Sequence, residues 1–123
     1  MRLGTVGALL AGLAVAAAAF GAHGLRGRLD DAALATFETA ARYQLYHAIA
    51  ILLAAERAAR SPSRAAGIAG NIFIAGIVLF SGSLYARALG GPEWLAMMTP
   101  FGGLTFMSGW VALALSYRER RPL

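Results

Sequence analysis

Cysteine and lysine are both absent from the 123 residues, and charged side chains of any kind make up only 14% of the chain. Without cysteine there is no disulfide framework, no thiolate metal site and no cysteine nucleophile. So little charge could not cover a small soluble domain, in which about a quarter of the residues are ordinarily charged. Disorder requires low hydrophobicity and high charge, and it is excluded because 59% of these residues are hydrophobic. The motifs of the common catalytic classes are missing as well. There is no nucleophile elbow, phosphate loop, zinc-protease helix or dinucleotide fingerprint, and the one adjacent carboxylate pair is Asp30 and Asp31. Two histidines, with one carboxylate inside an apolar region, make no convincing metal set. No cofactor is expected, and the chain is not read as an enzyme.

The length suits one domain. Its uncharged runs cover residues 3–22, 43–55, 65–86 and 94–117. A helix needs about twenty residues to cross about 30 Å of hydrocarbon. The first, third and fourth runs meet that length unaided. The second does not, and Glu56, Arg57, Arg60 and Pro62 block its C-terminal side. It must extend backward to about Thr36, which carries Glu38 and Arg42 inside the bilayer boundary, four residues apart on one helix face. The expectation is a single all-α transmembrane domain over 1–123, an integral membrane four-helix bundle of up-down topology. Its helices would run near 3–22, 36–57, 65–86 and 94–117. The first run could also be read as a signal peptide, but it exceeds the roughly 7–15 apolar residues of such a core. Gly4, Ala8, Gly12 and Ala16 form a small-residue ladder on it, suited to close helix packing.

Eleven basic residues, all arginine, oppose six acids. In a soluble domain that balance would suggest nucleic acid. Here the arginines sit in short clusters between apolar runs, the pattern that orients a chain in a bilayer and attracts anionic lipid. The expected partners are therefore the lipid bilayer, anionic lipid, and a membrane protein or further copies of the chain, with no nucleic acid. With the N-terminus cytoplasmic, Arg2, Arg57, Arg60, Arg64, Arg118, Arg120 and Arg121 lie on that side. Arg26, Arg28, Arg42 and Arg87 lie on the other, so both termini are expected in the cytoplasm.

Alternation of the helices would bring the polar patches to one membrane face. His23 follows the first run. Glu38, Arg42, Tyr43, Gln44 and His47 open the second, Ser81, Ser83 and Tyr85 close the third, and Thr99 begins the fourth. His23 reads as an interfacial residue, and Glu38 with Arg42 as either a self-neutralising pair or a site. His47 is deep enough to need a hydrogen bond, from Tyr43 or from a hydroxyl on another helix. Ser81 and Ser83 flank Gly82 in a stretch suited to close approach. Thr99 followed by Pro100 reads as an N-cap and first helical residue, with 92–98 as an interfacial segment.

These stretches carry a resemblance. Phe20-Gly21-Ala22-His23-Gly24-Leu25, the segment F-E-T-A-A-R-Y-Q-L-Y-H-A from Phe37 to Ala48, and Phe80-Ser81-Gly82-Ser83-Leu84-Tyr85 are similar to the domain-of-unknown-function 423 family. So are Thr99-Pro100-Phe101-Gly102-Gly103 and Gly109-Trp110. The resemblance covers nearly the whole chain. It implies a small four-helix protein of the bacterial inner membrane, related to an animal transmembrane protein, with no established activity and no catalytic or ligand residues to carry over. Two functions follow as expectations. The first is a structural or accessory membrane component acting through partners or self-association. The alternative is a membrane-embedded binding or conduction site for a lipid headgroup, small anion or proton, using Arg42 and His47.

Overall fold

A computed structural model describes residues 1–61 and 64–118. Pro62, expected to close the turn after the second run, and Arg120 and Arg121 of the C-terminal cluster lie outside the described residues. Four antiparallel helices account for the fold. Helix α1 is Leu3–His23 and α2 is Asp31–Arg60. Helix α3, Arg64–Ala88, contains a π-helical turn at Ile77–Ser81. A 3-10 turn, Glu93–Met97, leads into α4, Met98–Ser116.

Helix α2 starts at Asp31 rather than near Thr36. The Asp30 carboxylate accepts the Ala33 backbone N–H at 2.8 Å, a side-chain cap that lets the alanine-rich segment after it join the helix. The α1–α2 loop turns at Gly27, whose φ of +80° favours glycine. Inside that loop Leu25 is buried against Phe37 and Ala88 and plugs this end of the bundle. Helix α4 corrects another expectation. Its N-cap is Met97 without a side-chain cap bond, because the preceding 3-10 turn already occupies its first donors: the Met98 N–H reaches the Leu95 carbonyl. The Thr99 hydroxyl is thereby free to bond elsewhere.

Helix α1, helix α3 and Glu93–Ser116, the 3-10 turn together with α4, are each long and apolar enough to cross a membrane. The more polar α2 packs along the whole of α1, from Gly4 beside Ala55 to Gly21 against Phe37, so it traverses the same thickness. Large apolar side chains such as Leu13, Ile49, Val78 and Val111 point outward. That is the inverse of a soluble fold, and lipid is the solvent that tolerates it.

Lipid supplies no hydrophobic force between helices, so they associate by close packing and hydrogen bonds. The small residues that α1 buries are Gly7, Ala14 and Gly21, at sevenfold spacing. The fourfold ladder is not the seam: Ala8, Gly12 and Ala16 are exposed. Between α3 and α4 the packing is aromatic on glycine in both directions. Phe106 lies over Gly76, Phe73 over Gly109, and the Phe80 backbone against Gly102. The deepest core joins Ile51 and Ala54 of α2, Phe73 and Ile77 of α3, and Phe106 and Leu113 of α4, with Leu3 and Leu10 of α1 against it.

A Cβ at position 102 would sit 2.7 Å from the Phe80 Cα, and backbone cannot swing aside. At position 103 it would meet nothing within 4 Å. Gly102→Ala should therefore destabilise the detergent-solubilised protein by about 1–3 kcal/mol, the usual cost of overpacking, while Gly103→Ala does not lower its unfolding midpoint. Equal effects of the two substitutions would refute this α3–α4 packing.

Candidate functional site

Helical geometry divides the polar residues of α2. Successive residues turn by about 100°, so Glu38 and Arg42 share one side while Gln44 and His47 fall near the opposite one. Gln44 and His47 are buried, at 6% and 5% exposure. Glu38 and Arg42 are exposed.

The inward set forms interhelical ties. The Gln44 side-chain N–H donates to the Leu10 carbonyl of α1 at 2.8 Å, using that oxygen's second lone pair. The Gln44 carbonyl accepts the Tyr85 hydroxyl of α3 at 2.7 Å. Ser81 donates to the Ala40 carbonyl at 2.8 Å. Its neighbour on the other side of α3, Ser83, donates to the Phe80 carbonyl at 2.9 Å. That spends the only Ser83 proton, so the Thr99 hydroxyl is the donor in their 2.6 Å contact. The π-turn is the local device behind this. The Gly82 N–H bonds back to the Ile77 carbonyl, and the widened turn directs Ser81 to α2 and Ser83 to α4.

His47 joins α2 to α4. Its Nδ1 lies 2.8 Å from the Tyr43 carbonyl, and its Nε2 accepts the Trp110 indole N–H at 3.1 Å. A carbonyl can only accept and an indole N–H can only donate, so the ring is neutral with its proton on Nδ1. Its face stacks on Phe106 at 3.5 Å between centroids. Tyr43 flanks the same group, 4.9 Å from the Phe80 ring and itself exposed. The expected hydrogen bond to Tyr43 is thus made by its backbone, while the second partner is an indole and not a hydroxyl.

His23, Glu38 and Arg42 do not join this network. Among the described residues the one ion pair is Arg60 with Glu56, at 3.7 Å and well exposed, and Glu38 and Arg42 form none with each other. Glu38 and Arg42 line an outward cleft of about 380 Å³ between α1 and α2, floored by Ala14, Ala18 and Ala41. His23 lies in a neighbouring hollow beside Arg26 and Asp31. Glu38 and Arg42 are thus not brought together with the polar residues of α3 and α4, because α2 turns its other side to those helices.

Two features went unrecognised in the sequence. Arg57, counted there only for its charge, donates to the Ser116 carbonyl at 2.7 Å and covers the Tyr117 ring at 4.8 Å. It thereby satisfies a C-terminal carbonyl of α4. The second is a groove of about 590 Å³ between α1 and α3. It is lined by Leu13, Phe20, Phe37 and Val78, with Gln44, Ser81 and Tyr85 on its floor. The helices touch where Leu3 meets Gly70 and leave this groove between them further along. Neither feature has a local signal, since each depends on residues far apart in the chain.

This combination of apolar exterior, spanning helices and hydrogen-bonded interior defines an all-α membrane protein. More particularly, the chain belongs to the family described as "Protein of unknown function (DUF423)", which matches residues 17–103. It is similar to a UPF0382 membrane protein of Staphylococcus aureus, 41% identical over 111 residues and covering 90% of each chain. A UPF0382 membrane protein of Haemophilus influenzae is 41% identical over 119 residues, 97% of this chain and 95% of the relative. One from Bacillus subtilis is 39% identical over 112 residues, 90% and 91% of the two chains. No solved structure matches. No specific activity is established for the family.

A double-mutant cycle tests the central tie. Gln44→Leu and Tyr85→Phe should couple by about 0.6 kcal/mol, and by no more than about 1.7, as for other membrane hydrogen bonds. Zero coupling in steric-trap unfolding would show that the two side chains do not interact.

Proposed function

We propose that this protein is a structural or accessory component of the membrane, a preformed helical body acting through its outer faces on a membrane partner or on further copies of itself. One observation carries the reading. Gln44, His47, Ser81, Ser83, Tyr85 and Thr99 are occupied with one another, with Trp110 and with backbone carbonyls, whereas Glu38 and Arg42 face outward. A charged side chain on a spanning helix is costly, about 2.5–3.5 kcal/mol at the centre on insertion scales, and such residues ordinarily serve a partner or a site.

The absence of catalysis is part of the proposal. His47 has both ring nitrogens occupied and no hydroxyl as partner, which leaves it without a nucleophile to activate. Residence in the inner membrane with both termini cytoplasmic also belongs to it, supported by the gathering of Arg2, Arg57, Arg60 and Arg64 at one end. Binding or conduction through Arg42 and His47 together draws less support. The two residues point to different sides of α2, and His47 is buried with one face of its ring stacked on Phe106.

Purification from native membranes at native expression levels is expected to recover an assembly larger than one chain. Recovery of the monomer alone would overturn the reading. In proteoliposomes, proton and anion flux should be the same for the unaltered protein, Arg42→Ala and His47→Ala. A change in flux with either substitution would favour conduction instead.

A further inference from the structure

We propose that the outer α1–α2 face docks a second copy of this chain, with Glu38 of each copy pairing with Arg42 of the other; the inference rests on the accessory reading and names its partner. The two side chains carry opposite charge, lie one turn apart on α2, and both are exposed without an ion-pair partner among the described residues. Arg42 borders the cleft at the level of Val15 and Ala18 of α1. That level is about 10 Å inward from the His23 end at about 1.5 Å per residue, within the spanning part of the helix.

The chemistry of the face selects its occupant. An anionic lipid would satisfy Arg42 but would be repelled by Glu38 beside it. A cationic partner would meet the reverse conflict. A surface bearing both signs at the same spacing suits each charge, and a second copy supplies it by definition. A two-fold axis along the membrane normal sets Glu38 against Arg42 twice, the reciprocal contact of an isologous interface. The difference in height between them is about 6 Å, one helical turn, which a long arginine side chain bridges. Shape agrees with charge. Ala14, Ala18 and Ala41 floor the cleft, and next to it on α1 Ala8, Gly12 and Ala16 are exposed, with open space around the Gly12 Cα. Small side chains allow helix backbones to approach closely, and none of the described residues covers those of α1.

The chain has no cysteine, so single cysteines report proximity without background. Val15→Cys and Ala18→Cys, oxidised in native membranes, are expected to give a disulfide-linked dimer. Val78→Cys, exposed on the α3 side of the molecule, should give none. In the Ala18→Cys chain, Glu38→Arg or Arg42→Glu alone should weaken association about tenfold, equivalent to about 1.4 kcal/mol. The combined exchange should restore it. Glu38→Gln and Arg42→Gln serve as milder versions should a charge reversal prevent insertion. The proposal is overturned if dimer yield is the same at positions 18 and 78, or if it ignores the charge at 38 and 42. A cross-link only to a different protein overturns the second copy and leaves the accessory reading standing. A chain that is solely monomeric, or whose Arg42 responds only to depletion of anionic lipid, overturns both.

Discussion

Gln44 ties α1 and α3 to opposite edges of α2 with a single amide, donating to the Leu10 carbonyl and accepting from the Tyr85 hydroxyl. In lipid this matters more than its modest energy suggests, because apolar surfaces gain nothing by leaving apolar surroundings. Register must come from directional contacts and from shape. With both ends of the amide engaged, α1 cannot slide along α2, nor α3 rotate against it, without stranding a polar group in hydrocarbon. The seam of Gly7, Ala14 and Gly21 then brings α1 close enough for its carbonyl to be reached.

The α3–α4 half depends on a different constraint. Three aromatic residues, Phe73, Phe80 and Phe106, lie against three glycines on the facing helix. The π-turn between Gly76 and Gly82 allows Ser81 and Ser83 to serve different neighbours from one short stretch. His47 locks the two halves together, since its edge bonds Trp110 and its face stacks on Phe106, both on α4. Arg57 does the same at the other end through the Ser116 carbonyl.

With the interior held this way, chemistry is left for the exterior. The outward charges at Glu38 and Arg42 form no ion pair among the described residues. They sit over a floor of alanines on a helix that must cross the hydrocarbon. The proposed docking of a second copy is built on these outward residues. The α1–α3 groove, open to lipid on the other side of α1, is apolar apart from the tie beneath it.

Much of this architecture could be read along the chain. Run length and the scarcity of charge specify spanning helices, because these are local consequences of helical rise and of burial in lipid. Both ends of α2, however, differ from the expected 36–57: the helix begins at Asp31 and continues past the polar residues after Ala55 to Arg60. Burial in lipid also makes His47 stand out, as a polar group deep enough to need a hydrogen bond, while Gln44, Ser81 and Ser83 are legible only as members of the polar patches at one membrane face. Which partner each takes was settled by rotation about the helix axes, a property of all four helices at once. Residues four apart could be matched by counting, so Glu38 and Arg42 were placed on one face correctly. Whether that face looked in or out followed from the opposite sector of α2, where Gln44 and His47 claim the interior. The ladder at Gly4, Ala8, Gly12 and Ala16 looked like a seam by spacing alone, yet the seam runs through Gly7, Ala14 and Gly21, because close approach is chosen by the helix across the gap.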